Sequence, residues 1–299
     1  MPPEFVIAGA PKAGTTWLYR NLGRSPGVFL TANKEPRYYS VEEGERLGFR
    51  GPGDDSWMGH FVRSRQGYER LYEGAAAGQL RGEASSDYLY RSAVAARRLR
   101  EEAPGARLVF ILRDPVQRAY SNWLHHVRDG REDLSFGAAL AAESGRIESG
   151  RAWWWHYRQR GFYGRQLEPF LDRFPADQVL LLTHEELRRD PAGLLRRVGA
   201  FLEVEVGADD EVLAEARNQS HVPRSRTHRV ARRVLRPNRV ATALLPQAAR
   251  TRLRHKVNRA TLYRPAILSE DHRKLRRAYD ADTRRLGENT GLDVSGWLG

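Results

Sequence analysis

The order of apolar and polar positions along the chain sets out alternating strands and helices. Residues 4–9 (EFVIAG) are apolar without alternation, the pattern of a short strand buried on both faces. Residues 10–14 break that run with a turn, and 15–24 continue as a helix. A second strand is expected over 80–84, then a helix over 92–103 stopped by Pro104-Gly105. Residues 107–112 (RLVFIL) form a strongly apolar strand. Asp114-Pro115 then opens a helix running to about Arg128, with Asp as N-cap and Pro as first helical residue. Residues 178–183 (QVLLLT) are another unbroken apolar strand, 191–202 a helix, and 275–287 a last helix. Unbroken apolar strands between helices predict an α/β fold of three layers, with a central, mainly parallel sheet flanked by helices. No repeat and no Gly/Ser linker interrupts it. One domain over 1–299 is expected, with insertions or lids near 40–75, 130–160 and 220–265.

Composition narrows the picture. The 299 residues include no cysteine, which excludes disulfides, thiolate metal sites and a thiol nucleophile. No apolar run is long enough for a membrane span, and the first residues lack the basic and apolar regions of a secretory leader. A cytoplasmic protein is the expectation. The net charge of +13 is local: residues 224–264 hold 13 Lys or Arg and no acid. Such a segment suits an anionic partner, whether nucleic acid, a membrane surface or a small substrate, and equally a solvated loop. Of the 50 basic residues only four are Lys. Two of them, Lys12 and Lys34, stand alone in the first 255 residues, and Arg does not simply replace a compact ammonium.

Lys12 lies in Gly9-Ala10-Pro11-Lys12-Ala13-Gly14-Thr15-Thr16, which follows a strand and opens a helix. Backbone N–H groups and a helix N-terminus hold phosphate in that setting. Both glycines and Thr16 fit the P-loop spacing, but Thr15 stands where that pattern has its Lys. A Lys inside the loop would sit nearer the breaking bond of a shorter anion than a nucleoside triphosphate. A second anion site is expected where Arg113 ends the RLVFIL strand and Ser121 lies two turns into the next helix, since ligands of α/β folds gather at strand carboxyl ends. Together the two sites suggest a nucleotide phosphorylated at two positions. Asp114, before Pro115, has the place of an N-cap rather than of a magnesium ligand.

These segments resemble the sulfotransferases that use 3′-phosphoadenosine 5′-phosphosulfate (PAPS). Residues 11–18 (PKAGTTWL) are similar to their 5′-phosphosulfate loop, and Leu112-Arg113-Asp114-Pro115 through Arg118-Ala119-Tyr120-Ser121 to their 3′-phosphate motif. Lys34-Glu35-Pro36-Arg37-Tyr38-Tyr39, Gly82-Glu83-Ala84-Ser85 with Tyr88, and the stretch from Tyr163 through Leu202 resemble the heparan sulfate and bacterial carbohydrate-type branch. The resemblance covers about residues 4–39, 80–128 and 160–205. It implies a P-loop-like fold, PAPS as co-substrate, adenosine 3′,5′-bisphosphate (PAP) as product, and no required metal. It places Lys12 at the 5′-phosphosulfate and the bridging oxygen. Ala13, Gly14, Thr15, Thr16 and Trp17 fall along the 5′-phosphate cradle, and Arg113 and Ser121 at the 3′-phosphate. Arg224 and Arg226 stand in for the family's C-terminal phosphate loop, Glu35 is set as catalytic base, and His184 near an adenine contact. The chain departs from the branch at Ala84, where a Lys is usual, at Arg37 in place of His, and at Tyr38-Tyr39 in place of a Phe pair.

Sulfuryl transfer is, like phosphoryl transfer, dominated by positioning and electrostatics. The expected reaction is in-line transfer from PAPS to a hydroxyl of a carbohydrate, glycolipid or other natural product. Glu35 takes the acceptor proton, with His125 and His126 as alternatives. Residues 153–163 hold six aromatics, which suit either an acceptor pocket or a core, and Arg151, Arg158 and Arg160 stand among them. A P-loop kinase or NTPase is the alternative enzyme. A nucleic-acid module built on residues 224–264 is the alternative outside enzymes, and no nucleic-acid partner is expected.

Overall fold

The computed structural model describes residues 2–207, 222–223, 262–263 and 265–299. Its centre is a five-stranded sheet of β1 (Phe5–Gly9), β2 (Val28–Leu30), β3 (Leu80–Ala84), β4 (Arg107–Leu112) and β5 (Val179–Thr183). The strand order is β2-β3-β1-β4-β5, and every pairing in it is parallel. The unbroken apolar runs follow from this. Phe5, Ile7, Val109 and Ile111 face one layer, and Val6, Ala8, Leu108, Phe110 and Leu112 the other. Helices Thr15–Leu22 and Pro191–Leu202 cover the first face with Trp17, Leu18, Leu22, Leu194, Leu195 and Val198. Helices Ser92–Glu102 and Tyr163–Leu171 cover the second with Leu99, Leu167 and Phe170. Each fully buried large apolar side chain contributes about 1.5–3 kcal/mol relative to exposure. Gly82, in register with Phe5, must stay small, because a Cβ there would lie 2.2 Å from the Phe5 ring.

The chain runs from β1 out to the edge strand β2, returns to β3, then crosses to β4 and β5 on the other side of β1. The order therefore reverses beside β1, and the crevice beyond the carboxyl ends of β1 and β4 is where such sheets bind ligands. The Lys12 loop follows β1 and Arg113 follows β4, so the two expected anion sites are neighbours.

A third core joins the two expected insertions that the structure describes. Trp57 and Phe61 pack with Trp153, Trp154 and Trp155 against helix Pro115–Arg128, with Leu275 and Tyr279 of helix Ser269–Thr290. Asp54 ties the two segments together. Its buried carboxylate accepts from Gly51 N (2.7 Å), Ala152 N (2.9 Å), Trp154 Nε1 (2.5 Å) and Trp155 Nε1 (3.0 Å). No described helix is long and apolar enough to cross a membrane.

Several elements differ from expectation. The first helix ends at Leu22 and the last spans Ser269–Thr290, beginning six residues earlier than its apolar period. The edge strand β2 carries no pattern of its own, and the helix Tyr163–Leu171 keeps its apolar face of Tyr163, Leu167 and Phe170 although Pro169 lies within it. The basic segment apart from residues 262–263, and with it Arg224 and Arg226, lies outside the described residues.

Candidate active site

The loop after β1 is shaped by two left-handed residues, Lys12 (φ 68°) and Gly14 (φ 125°). At Gly14 the conformation and the space both demand glycine, because a Cβ would meet Leu187 Cδ2 at 2.7 Å and Ile111 Cδ1 at 3.1 Å. Lys12 adopts the same region without that freedom, a local cost of the kind held at functional sites. The surroundings hold the loop by its carbonyls. Arg113 NH1 donates to Lys12 O (3.1 Å), and His184 Nδ1 lies 2.8 Å from Ala13 O. His184 is thus a brace of the loop. Helix Thr15–Leu22 starts at Gly14 with no side-chain cap and no acid in its first turn, so its positive end faces the crevice without a built-in anion. Ala13 and Thr15 are buried and Thr16 is exposed. The Trp17 side chain packs in the core beneath the helix, which leaves only its backbone for a ligand.

Lys12 is crowded by cations. Its pKa is pushed down to about 8, first by burial, then by Arg128, with Arg113 and Lys34 adding and Asp129 opposing. A cluster of positive groups around an uncapped helix end is a donor set that an anionic ligand fits. Arg128 belongs to none of the motifs described above. Its signal is periodicity: Ser121, His125 and Arg128 recur at i, i+4 and i+7 along one face of helix Pro115–Arg128, whereas Arg118, Asn122 and His126 form the other. That second face is tied to the aromatic segment, Asn122 Nδ2 to Trp154 O (2.8 Å) and Arg118 to Tyr157 O. Ser121 is buried, two turns beyond Arg113. Asp114 caps its helix by accepting from Gln117 N (2.9 Å), as expected, and also pairs with Arg276 (2.9 Å).

Glu35 stands on the turn after β2, with φ 68°, and Arg37 follows at φ 56°. The turn lies along the end of β3: Glu35 N donates to Ala84 O (2.8 Å). Both carboxylate oxygens of Glu35 are held, Oε2 by Ser86 N (3.0 Å) and Oε1 by Ser86 Oγ (2.9 Å) and Lys34 Nζ (2.6 Å). Arg37 lies 3.7 Å from Oε2 and donates through Nε to Asp87 (2.6 Å), which also pairs with the buried Arg160. Burial pushes the Glu35 carboxyl up, but Lys34 and Arg37 outweigh it, and the net direction is down. Ser86 and Asp87 also belong to none of those motifs; their signal is a polar run directly past a strand's carboxyl end.

The alternative bases are poorly disposed to accept protons. His126 is buried against Trp155, with Nδ1 3.2 Å from Tyr157 OH, and burial holds its pKa far below the usual range. His125 is pushed down to about 2 by burial and then by Lys12, Arg128 and Arg131. The aromatic segment is core rather than pocket wall. Trp153, Trp154, Trp155, Tyr157 and Tyr163 are all buried, with Arg131 over Trp154 at 4.5 Å and Arg91 over Trp153 at 5.2 Å.

Residues 3–209 match the sequence model of the Sulfotransferase family. The human bifunctional heparan sulfate N-deacetylase/N-sulfotransferase 3 is 30% identical over 207 residues, 68% of this chain and 22% of that protein. The mouse heparan sulfate glucosamine 3-O-sulfotransferase 3B1 is 29% identical over 202 residues, 67% of this chain and 46% of that protein. The chain therefore spans less than half the length of either. The crystal structure of a sulfotransferase from Alicyclobacillus acidocaldarius superimposes with a TM-score of 0.77 at 29% identity, covering 99% of both chains.

Proposed function

The chain belongs to the sulfotransferase family, and from that premise we propose that it moves the sulfuryl group of PAPS to a hydroxyl of a carbohydrate, glycolipid or other natural-product acceptor. The observation that carries the reading is the convergence of Lys34, Arg113 and Arg128 on Lys12 beside an uncapped helix end, with Lys34 itself paired to the Glu35 carboxylate at 2.6 Å.

Under this reading the amides at Gly14, Thr15 and Thr16 cradle the 5′-phosphate, and Arg113 with Ser121 takes the 3′-phosphate. The acceptor hydroxyl gives its proton to Glu35. Its oxygen bonds to sulfur as the bond from sulfur to the bridging oxygen breaks, and PAP leaves with the electron pair. Lys12 meets the charge that develops on that bridging oxygen. Lys34 and Arg37 keep Glu35 ionised, and Ser86 aims it. The two relatives described above are named for heparan sulfate, so sugar hydroxyls and amines head an acceptor screen.

The test is calorimetric titration of PAP without metal, beside ATP with and without magnesium. Micromolar PAP binding that collapses in Lys12→Ala and Arg113→Ala supports the donor site. Tighter binding of ATP with magnesium overturns the reading in favour of a kinase.

A further inference from the structure

One buried acid takes no part in the reaction drawn above. Glu83, in β3, is fully buried, and its carboxylate is met by three hydroxyls: Tyr68 OH (2.9 Å) and Tyr88 OH (2.5 Å) at Oε1, and Ser85 Oγ (2.7 Å) at Oε2. Two of these hydroxyls also receive an amide from the turn that carries Glu35. Arg37 N donates to Ser85 Oγ (3.0 Å), and Tyr39 N donates to Tyr88 OH (3.3 Å). A hydroxyl has one proton to give. When an ionised carboxylate takes it, the oxygen's lone pairs are left for the amide, and each relay is polarised in one sense. The two amides, at Arg37 and Tyr39, hold the C-terminal end of the stretch in which Glu35 and Arg37 adopt left-handed backbone, a conformation that persists only where the surroundings enforce it.

We propose that Glu83 is a positioning residue: through Ser85 and Tyr88 its carboxylate fixes the turn of residues 34–39 and so the aim of Glu35 and Arg37. The proposal rests on the reading of Glu35 as the base. The titratable groups that face Glu83 are Tyr68 and Tyr72 from the preceding helical segment, Tyr88 beyond β3, and Tyr39 and Glu35 on the turn itself. Burial pushes the Glu83 carboxyl up to about 7, with the three hydroxyls opposing. The sign follows: the grip is present above that pH, where the group is ionised, and is lost as pH falls through it. Lys34 and Arg37 hold the Glu35 carboxyl down, so a loss of kcat as pH falls through about 7 is expected from Glu83, and its disappearance in Glu83→Gln is the check.

The experiment compares wild type, Glu83→Gln and Ser85→Ala by amide hydrogen exchange over residues 34–39 at pH 6 and pH 8, corrected for intrinsic rates, with kcat, its pH profile and PAP affinity on the same preparations. In wild type the turn is protected at pH 8 and loses protection at pH 6. In both variants it is unprotected at pH 8, kcat falls about tenfold or more, and PAP affinity stays within about twofold. Glu83→Gln also loses the acid limb. Wild-type protection and kcat in a folded Glu83→Gln overturn the proposal. Where that variant does not fold, Ser85→Ala, which cuts one relay and leaves the acid in place, decides in the same way. If no acceptor is sulfated by the wild type, the proposed reaction fails, and hydrogen exchange still decides whether Glu83 holds the turn.

Discussion

Lys12 keeps its charge under opposition, because burial and three neighbouring cations all favour the neutral amine. Its free pKa of about 8 lies below that of an unfolded Lys, so the protonated form costs the fold stability below pH 8. The cost is relieved as pH rises from there toward the ordinary Lys value. A bound dianion reverses the balance and pulls the proton back. PAP affinity is therefore expected to be full below pH 8 and to fall above it, with proton uptake on binding that is readable from calorimetry in buffers of different ionisation heat. Lys12→Met separates the two effects: ligand-free Tm rises while PAP affinity falls about 10–100-fold, the worth of one charge-assisted contact. A Tm that drops would show that Lys12 is structural. Glu35→Gln should do the converse, lowering kcat by about 10²–10⁴-fold with PAP affinity unchanged.

Helix Pro115–Arg128 shows how one element serves core and site together. Ser121, His125 and Arg128 share the face nearest Lys12, while Arg118, Asn122 and His126 lock onto residues 154–157. The aromatic segment is fixed in turn by Asp54. Asp54→Ala leaves three buried N–H groups and the half-buried one of Gly51 without their acceptor, and a loss of about 3 kcal/mol or more is expected, seen as a fall in denaturant midpoint. PAP affinity should fall far less than in Lys12→Met, since Asp54 bonds only to Gly51, Ala152, Trp154 and Trp155 and reaches the crevice only through the helix they pack on. The same elements show what the sequence makes legible. The strands β1 and β4 are readable because burial on both faces leaves a nearly unbroken apolar run, as in LVFIL, whereas β3 is interrupted by Arg81 and the buried Glu83; the loop after β1 is readable because Gly14 and Lys12 do local work. The edge strand β2 is three residues long and offers no period. The first turns of the last helix are polar (SEDHRK) and lie outward, so its apolar period begins only at Leu275. The aromatic run is legible as aromatic but not as core, because stacking on a ligand and stacking on Trp57 use the same faces.

Contacts between distant parts of the chain are where sequence reading ends and where the molecule secures its site. Asp114 and Arg276 are neighbours at 2.9 Å, mostly buried, although 162 residues separate them. Tyr279 OH donates to Arg158 O (2.8 Å), Asp282 accepts from Gly164 N (2.8 Å), and Tyr120 OH donates to Pro265 O (2.8 Å). The last helix thus holds both the helix that begins beside Arg113 and the one that follows the aromatic segment. Arg113 itself grips the Lys12 carbonyl. A change at Arg276 should therefore reach the nucleotide without touching it. Arg276→Ala leaves the buried Asp114 with its cap bond but without this ion pair, and a stability loss of about 1–3 kcal/mol is expected. PAP affinity should fall about three- to tenfold as the start of the helix loosens. Asp114→Ala removes both the pair and the cap, so it should cost more than Arg276→Ala. Adding Arg276→Ala on top of Asp114→Ala should then cost almost nothing further. Additive losses in that double-mutant cycle, read by denaturation and by PAP titration, would mean that the two residues act separately and that the last helix is not coupled to the phosphate crevice through this pair.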